Sequence, residues 1–282
     1  MAEKVSYIVV IDKNTVKSFG DEWSRFDQKD LDELEGIKIF KENFHIFPMD
    51  LMNQDATGFD MGCGTGRWAK YVAPNVKRLN CIDPSSAINI AKDQLKEYTN
   101  ISYFKNSVDD HCLDSNSQDF GYSLGVLHHI PNTQEAISSC ANLLKPEAPL
   151  LLYLYYDFDD RPFWFKVIWR LSNVLRRIVC KLPSKLKHLI TDLIALLIYL
   201  PLARASKLLA YFKMNTSNIP LSYYKNHSFY TMRTDSRDRF GTPLEQRFTK
   251  NTIRSMMLEA GLKDIVFSES APFWCVLGYK RK

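Results

Sequence analysis

A run of glycines behind an aspartate is the part of this sequence best suited to bind a nucleotide-like ligand. Residues 60–66 are Asp-Met-Gly-Cys-Gly-Thr-Gly, between a short apolar run and a stretch with helical spacing. At a turn from strand to helix, free backbone N–H groups can bind a polar ligand, and glycines let the backbone approach it closely. Asp83 ends the next apolar run, where a carboxylate can accept hydrogen bonds from both hydroxyls of a ribose.

Two classes of ligand compete for this turn. The dinucleotide fingerprint G-x-G-x-x-G would require a third glycine at the position of Arg67, so its fit is poor. An acidic residue two positions before G-x-G-x-G fits another family. The string FDMGCGTG resembles motif I of the class I S-adenosylmethionine (SAM)-dependent methyltransferases.

The resemblance implies roles for the residues of this turn. The aspartate before the glycines would lie near the methionine amino group, the three glycines would form the loop beneath the methionyl-ribose part, and the second aspartate would bind the ribose. The cofactor-binding residues expected from this part of the chain are Asp60, Gly62, Gly64, Gly66, Asp83 and Pro84.

A second stretch, SVDDHCLDSNSQDF, resembles the segment that follows strand three in this family. Val108 would then stack near the adenine. The family most often has aspartate at the position of Ser107, so the partner of the adenine amino group is either Ser107 or Asp109.

A third stretch, YSLGVLHHIPN, resembles the motif after strand four in methyltransferases of small molecules, a subgroup that includes quinone-biosynthesis enzymes. The backbone of Leu124 and Gly125 would flank the cofactor. His128 and His129 would face the acceptor pocket, where one of them is the candidate general base. A structural role at a turn is the alternative for both histidines. The whole chain also resembles, more loosely, bacterial members that are uncharacterised or linked to surface glycans.

Short apolar runs that alternate with amphipathic stretches predict the fold class. Five such runs occur between residues 56 and 155, and the pattern returns near residue 249 with one helix and two last strands. An α/β architecture is therefore expected. The resemblance implies a Rossmann-like seven-stranded methyltransferase sheet, mostly parallel with its last strand antiparallel, and a helical insertion after strand five.

The same patterns suggest how the chain is organised. Residues 1–55 are expected to form an N-terminal lid segment, and residues 56–157 with 240–282 the SAM-binding core. Residues 158–239 would be a basic helical insertion that caps the acceptor site. Within the first segment, residues 15–26 either fold over the cofactor, as in the resembled subgroup, or dock as a plain helix against the sheet.

Charge is distributed unevenly along the chain. The net charge is +5, from 37 basic and 32 acidic residues. Residues 163–214 contain ten basic residues and one acidic residue, Asp192, and so carry +9. Such asymmetry is typical of a basic surface with a partner. Nucleic acid is not expected, because no binding motif accompanies the charge.

Pro183 and Pro201 are expected to divide this basic stretch into about three helices. Its longest uncharged run, residues 193–203, is far shorter than the roughly 20 residues of a membrane span, so no transmembrane helix is predicted. Three hypotheses remain open for residues 163–214: a cap packed on the core, peripheral contact with a membrane or a lipid-linked substrate, and an oligomer interface.

The polar, aromatic stretch 223–248 resembles a long functional loop. Its tyrosine, histidine and arginine side chains are candidates to line the acceptor pocket, where guanidinium groups would suit a phosphate or carboxylate. These candidates are Tyr223, Tyr224, His227, Tyr230, Arg233 and Arg239.

The six cysteines include no C-x-x-C pair, so neither a disulfide framework nor a metal site is predicted. The apolar run at the N-terminus is short and closed by Asp12, unlike a signal peptide. A cytoplasmic location is expected, with peripheral contact at a membrane surface as a variant of it.

These features predict a methyltransferase that moves a methyl group from SAM to a small-molecule acceptor, such as a glycan precursor or a lipid-linked molecule. Two alternatives remain. One is an NAD(P)-dependent oxidoreductase, and the other is a non-catalytic membrane-surface module on the same fold. The acceptor, the methylated atom and the oligomeric state do not follow from the sequence.

Overall fold

The computed structural model describes residues 11–110, 112–158 and 161–282. These residues form two compact units. The core unit comprises residues 11–16, 37–157 and 244–282, and the helical unit comprises residues 17–36 and 158–243.

The core unit is built on one seven-stranded sheet. Its strands are β1 (Thr57–Met61), β2 (Arg78–Ile82), β3 (Ile101–Phe104), β4 (Phe120–Leu124), β5 (Pro149–Tyr153), β6 (Leu262–Phe267) and β7 (Cys275–Lys280). Their order across the sheet is β3-β2-β1-β4-β5-β7-β6. The first five strands pair in parallel, and β7 runs antiparallel to both its neighbours. The predicted Rossmann-like sheet with an antiparallel last strand is confirmed.

The helices that lie wholly within the core unit begin either with or without a side-chain cap. They are α3 (Ala69–Val72), α4 (Ala87–Gln94), α5 (Thr133–Leu143) and α10 (Lys250–Glu259). The Asn132 side chain accepts a hydrogen bond from the Glu135 N–H at the start of α5, and Thr249 accepts one from Thr252 at the start of α10. Gly261 follows α10 in the left-handed conformation that glycine adopts at little cost.

The helical unit lies mostly between β5 and β6 in the chain. It contains α6 (Phe163–Val179), α7 (Ser184–Ile194), α8 (Leu200–Tyr211) and α9 (Phe229–Gly241), with most of α1 (Lys13–Arg25) and the start of α2 (Glu33–Phe44). Residues 17–36 thus group with the helices after β5. Closure over the cofactor and plain docking both stay predictions for residues 15–26.

The basic stretch contains three α-helices, as predicted, but Pro201 does not separate the last two. A π-helical turn, Ala195–Tyr199, joins α7 to α8, and one unbroken helix runs from Ser184 to Tyr211. Proline lacks an N–H and its ring clashes with the carbonyl four residues earlier. At the π turn just before Pro201, the Leu200 N–H donates to the Ala195 carbonyl five residues earlier, and the helix continues through the proline.

The unbroken helix is longer than the uncharged run 193–203, on which the prediction of no transmembrane helix was based. Within the described residues, Ser184–Tyr211 is one helix of 28 residues that has the length and composition to cross a membrane. Core helices of soluble proteins can meet the same criteria, so the contacts of this helix must decide its role.

The stretch predicted as a long functional loop contains a helix, so that prediction is wrong. Ser228 caps α9 by accepting a hydrogen bond from the Thr231 N–H, and α9 buries Met232, Arg237 and Phe240. Its sequence lacks a continuous apolar stripe, and ion pairs with other elements of the helical unit hold several of its polar side chains. Such pairing depends on distant residues and leaves no local periodicity.

Arg237 is the largest fully buried side chain of the helical unit. Its Nη2 donates to Asp21 Oδ2 at 2.9 Å, and its Nη1 lies 3.7 Å from Glu22 Oε2. Both acidic residues lie on α1. A Cβ at Gly241 would lie 1.8 Å from the guanidinium, so only glycine leaves room there. Burial and the nearby Asp238 raise the pKa of Glu22 well above its ordinary range, while Arg237 lowers it.

Replacing Arg237 by methionine is expected to lower the free energy of unfolding by about 3 kcal/mol, because it leaves the buried Glu22 carboxyl and the partly exposed Asp21 carboxylate without this cation. Urea denaturation of the full chain measures this. The double variant Arg237→Met/Glu22→Gln should recover part of the loss, since it also removes the unpaired acid. An unchanged midpoint for the single variant would show that the buried pair contributes nothing.

Candidate cofactor and acceptor site

The glycine turn lies at the carboxyl end of β1, in the crevice where the strand order reverses. β1 is flanked by β2 on one side and β4 on the other, and ligands of open α/β sheets bind at such a switch point. The N–H groups of Gly62 and Cys63 donate to the Ile82 carbonyl at 2.7 and 3.1 Å, which fixes the turn against β2. Gly62 has φ +81°, and a Cβ there would lie 2.5 Å from Val126.

Asp60 is buried between two strands, opposite Cys81 of β2 and Tyr122 of β4. Burial raises the pKa of its carboxyl well above the ordinary range; nearby Asp83 raises it further, and the neighbouring Tyr122 hydroxyl lowers it. Among the described residues, neither carboxylate oxygen has a hydrogen bond of good geometry, to Tyr122 or to any other group. A buried carboxylate without a partner is costly and suits a cationic ligand group.

Asp83 lies just after β2 and shapes the other side of the turn. Its Oδ2 accepts the Gly64 N–H at 2.9 Å, and its Oδ1 accepts the N–H and hydroxyl of Ser85 at 2.8 and 2.6 Å. Burial raises the pKa of Asp83, and these hydrogen bonds oppose the shift. Each carboxylate oxygen has more than one acceptor direction, so ribose hydroxyls can still be accommodated. Pro84, next to it, is half-buried.

Replacing Asp83 by alanine is expected to weaken SAM binding by about tenfold or more, equivalent to about 1.4 kcal/mol. The variant loses the acceptor for ribose and the contact that holds Gly64. Calorimetric titration measures the dissociation constant. Ser85→Ala is the matched control, because it removes one donor to Asp83 and leaves the carboxylate. Unchanged affinity in Asp83→Ala would disprove the ribose assignment.

Ser107, Val108 and Asp109 follow β3, the strand next to β2. Val108 is buried, and its carbonyl accepts the Ser139 hydroxyl at 2.5 Å, which anchors this segment to α5. The Ser107 hydroxyl donates to the Asp109 carboxylate, so the two candidate partners of the adenine amino group contact each other. The choice between them stays open.

Leu124 and Gly125 end β4 beside the glycine turn. The Gly125 N–H donates to the Tyr153 carbonyl of β5 at 3.0 Å, and Gly125 has φ +81°. This conformation turns the chain sharply into the short 3₁₀ turn Leu127–His129. Because β1, β2, β3 and β4 are parallel, the structure brings the predicted cofactor residues to one edge of the sheet.

His128 and His129 are both buried in this turn. The His128 ring stacks on Tyr155, with 3.8 Å between ring centroids, and neither of its nitrogens has a hydrogen-bond partner among the described residues. Burial, His129 and Arg247 lower the pKa of His128 well below its ordinary value, so it is neutral at pH 7. His129 differs, because its Nδ1 lies 2.6 Å from the Leu244 carbonyl and therefore donates to it.

The histidine turn is held by Gln246 and Arg247, two residues that sequence analysis did not name among its candidates in the stretch 223–248. Gln246 donates its backbone N–H to the His128 carbonyl at 3.0 Å and its side-chain amide to the Ile130 carbonyl at 2.7 Å. The Arg247 guanidinium lies 5.1 Å from the Tyr155 ring centroid. These residues are more than a hundred positions from the histidines, and no local pattern in the sequence marks them.

The six residues predicted to line an acceptor pocket in residues 223–248 lie in the helical unit. His227 contacts Glu35 at 3.1 Å, Arg233 contacts Asp192 at 3.0 Å and the Tyr224 hydroxyl donates to Asp235 at 2.8 Å. These contacts explain the side chains as parts of the unit's own packing. They give no support to the prediction that the residues line a pocket.

The residues at the edge of the sheet fit SAM. The unpartnered carboxylate of Asp60 matches an ammonium group, and Asp83 matches a ribose. Glycines at positions 62 and 66 leave the backbone open where a Cβ would strike Val126 or Leu95. In the described part of the chain, no group of three or more histidine, cysteine or acidic residues is arranged to hold a metal ion.

Comparisons with known proteins support a methyltransferase domain. Residues 59–152 match the methyltransferase domain family. The ubiquinone biosynthesis O-methyltransferase of Vibrio vulnificus (strain YJ016) is 29% identical over 147 residues, which cover 48% of this chain and 60% of that protein. The enzyme of the same name from Glaesserella parasuis serovar 5 (strain SH0165) is 32% identical over 100 residues, 33% of this chain and 42% of that protein. The chain therefore spans less than two thirds of the length of these relatives.

Among solved structures, the N-methyltransferase NodS from Bradyrhizobium japonicum WM9, in complex with S-adenosylhomocysteine, has a TM-score of 0.50 and 15% identity. The alignment covers 95% of this chain and 98% of that chain. At this identity the likeness shows the fold. The sheet order, the glycine turn behind a buried aspartate and the family match over residues 59–152 identify a class I SAM-dependent methyltransferase domain in this chain.

Proposed function

We propose that the chain transfers the methyl group of SAM to a hydroxyl oxygen of a small-molecule acceptor and releases S-adenosylhomocysteine. The observation that carries this proposal is His128, a buried and neutral imidazole whose nitrogens have no hydrogen-bond partner in the described residues. A group of this kind is suited to accept the proton that a hydroxyl loses when its oxygen is methylated.

The work of the chain's own residues is binding, alignment and removal of one proton. Bound SAM supplies a methyl group already activated by the sulfonium. Asp60 and the glycine turn hold the amino-acid end of the cofactor, and Asp83 holds its ribose. His128 is kept neutral by burial, and Tyr155 fixes the plane of its ring. Holding the acceptor in line and excluding water provides most of the remaining rate enhancement.

The acceptor class is a small molecule with a free hydroxyl, which includes glycan precursors and lipid-linked molecules. Two observations support oxygen as the methylated atom. An oxygen acceptor that stays protonated needs a base, which His128 provides. The curated relatives from Vibrio vulnificus and Glaesserella parasuis are named O-methyltransferases.

Calorimetric titration of the full chain with S-adenosylhomocysteine and, separately, with NAD⁺ tests the cofactor. Binding of S-adenosylhomocysteine with a micromolar dissociation constant and no response to NAD⁺ is expected. The opposite result would favour the NAD(P)-dependent oxidoreductase, a hypothesis already weakened by Arg67 at the third position of its fingerprint.

A matched pair of acceptors tests the methylated atom. A phenol with a short isoprenoid tail and the same molecule with its hydroxyl replaced by an amine are each incubated with the chain and SAM. Mass spectrometry should find one added methyl group on the phenol and little on the amine. Transfer only to the amine would contradict oxygen methylation. S-adenosylhomocysteine binding without transfer to any hydroxyl acceptor would favour a non-catalytic module on the same fold.

A further inference from the structure

The helical unit carries an apolar surface that faces outward on two helices, α6 and the unbroken helix Ser184–Tyr211. We propose that this surface docks on an anionic lipid bilayer, with both helices in the interfacial region of one leaflet. The proposal goes beyond methyl transfer and does not depend on it.

On α6, the exposed residues are mainly apolar. Phe163, Leu171, Val174 and Ile178 follow each other at helical spacing along one face, and Leu171 is 67% exposed. Trp164 is also exposed in the first turn of the helix. Tryptophan is common where apolar and aqueous phases meet in a membrane.

The helix Ser184–Tyr211 has the same character. Leu186, Leu189, Leu193 and Leu197 are exposed at spacings of three and four residues, and Leu197 is 68% exposed. Single exposed leucines are normal on soluble proteins. A continuous face of them on each of two helices marks an interaction surface.

The inner faces of these helices bury polar side chains beside the apolar residues Val179, Ile194 and Ala203. Thr191 and Ser206 have no exposed surface, and the Thr191 carbonyl accepts the Ser236 hydroxyl of α9 at 2.8 Å. Arg176 of α6 is buried, and its guanidinium donates to the Thr242 and Pro243 carbonyls at 2.8 and 2.6 Å. In water, an amphipathic helix buries its leucines and exposes its arginines. Here the polar side chains of Arg176, Lys187, Thr191 and Ser206 lie inside while Leu171, Leu189 and Leu197 lie outside, which favours an apolar medium next to the outer face.

Charge identifies the kind of apolar medium. The exposed basic residues of the two helices and their ends include Arg170, Arg177, Lys181, Lys185, Lys207 and Lys213. None of these forms an ion pair with an acidic side chain in the described part of the chain. The one acidic residue of residues 163–214, Asp192, is paired with Arg25 and Arg233. A basic, leucine-rich surface complements anionic lipid headgroups over acyl chains.

A second copy of the chain fits this surface less well. A symmetric dimer places the same patch on both sides of its interface, so the exposed lysines and arginines would face each other. Like charges across an interface oppose association. An anionic bilayer instead neutralises them.

The contacts of the longer helix favour an interfacial position over a span. One flank of it packs on α9 and on the 3₁₀ turn Ser222–Asn226, where Lys187, Thr191 and Ser206 are buried. Its Asp192 pairs with Arg25 of α1 and Arg233 of α9. Lipid can therefore reach only the other flank. A helix covered by protein along one side and apolar along the other lies in the membrane surface.

Co-sedimentation of the full chain with vesicles tests the proposal. Vesicles of phosphatidylcholine alone and vesicles with 30 mol% phosphatidylglycerol are compared at about 0.1 M and 0.5 M salt. At least tenfold stronger partitioning to the anionic vesicles is expected, and it should weaken in high salt, where exposed charges are screened. Equal and weak partitioning to both vesicles would overturn the proposal.

Variants distinguish binding through this surface from non-specific adsorption to vesicles. Leu171→Gln/Leu197→Gln should lower partitioning at least tenfold, because both side chains lie on the outer faces. Leu34→Gln is the matched control, since Leu34 is 77% exposed but lies on α2, and it should bind like the wild type. Unchanged S-adenosylhomocysteine affinity and circular dichroism would show that the double variant still folds.

Sedimentation velocity tests whether a second copy of the chain, rather than a bilayer, covers this surface. A wild-type dimer that Leu171→Gln/Leu197→Gln converts to monomer, together with no vesicle binding, would assign the surface to a second copy and overturn the lipid proposal. Because neither readout involves methyl transfer, failure of this proposal is separate from failure of the proposed enzyme activity.

Discussion

Asp60→Asn is expected to bind S-adenosylhomocysteine at least about 100-fold more weakly than the wild type, which corresponds to about 3 kcal/mol. The carboxylate is buried and has no hydrogen bond of good geometry in the described residues, so a ligand ammonium would be its main partner. Removing one member of a buried charge pair leaves the other uncompensated. Calorimetric titration at pH 7.5 measures the loss.

The same substitution is expected to stabilise the ligand-free protein. Folding raises the pKa of Asp60, so the folded state favours its protonated form. Stability that depends on that proton is complete below the ordinary aspartate pKa of about 4 and is lost as pH rises through the raised value. Asparagine does not titrate. The free energy of unfolding of Asp60→Asn should therefore exceed that of the wild type by about 1–3 kcal/mol at neutral pH and by little near pH 4.

Asp119→Asn is the matched control at the opposite end of the same strands. Asp119 accepts the Thr57 N–H at 2.8 Å and pairs with Lys145, so its neutral variant should lose a little stability and keep full cofactor affinity. Weakened binding in both variants would point to a general effect on the sheet. Lower stability of Asp60→Asn at pH 7.5 would show that the carboxylate already has a stabilising partner in the ligand-free protein.

His128→Phe is expected to lower the rate of methyl transfer to a hydroxyl acceptor by about 10²–10⁴-fold, the usual contribution of a general base. Phenylalanine keeps a ring to stack on Tyr155 and removes both nitrogens. Because those nitrogens have no hydrogen-bond partner in the described residues, the variant should be as stable as the wild type at neutral pH. Single-turnover assays with saturating acceptor, alongside calorimetry, separate chemistry from binding.

Tyr155→Phe and the pH profile complete this test. Tyr155→Phe keeps the stacked ring and should retain most activity. The lowered pKa of His128 means that folding favours the neutral ring, so stability is lost as pH falls below the ordinary histidine pKa of about 6.5. His128→Phe should reduce this acid loss. A full transfer rate in His128→Phe would remove the histidine from the chemistry.

The cofactor side of the site was predictable because its information is local. Each strand, its following turn and its acidic or glycine residues occupy about ten consecutive positions. Parallel strands bring their carboxyl ends to one edge of the sheet. The strand pairing alone therefore brings Asp60, Asp83 and Gly125 to the same edge. The local sequence does not distinguish Ser107 from Asp109 as the residue that binds the adenine. The two side chains contact each other in the structure.

The acceptor side depends on the tertiary structure. The sequence has two adjacent histidines after strand four, and it does not indicate which of them is the candidate base. Only packing separates them: His128 is enclosed beside Tyr155, while His129 donates to Leu244, in a segment that returns more than a hundred residues later. Burial, and with it the pKa of His128, is a property of neighbours that no window of the sequence contains.

The sequence by itself determined the α/β class, a mostly parallel sheet with an antiparallel last strand, the nucleotide-type turn and the basic character of residues 163–214. The tertiary structure decided which faces of the basic helices point outward, that the π turn before Pro201 lets one helix continue, and that Arg237 is buried with acidic partners. The physical reason is that periodicity and turn chemistry act over a few residues. The side of a helix that meets protein is chosen by contacts between distant parts of the chain.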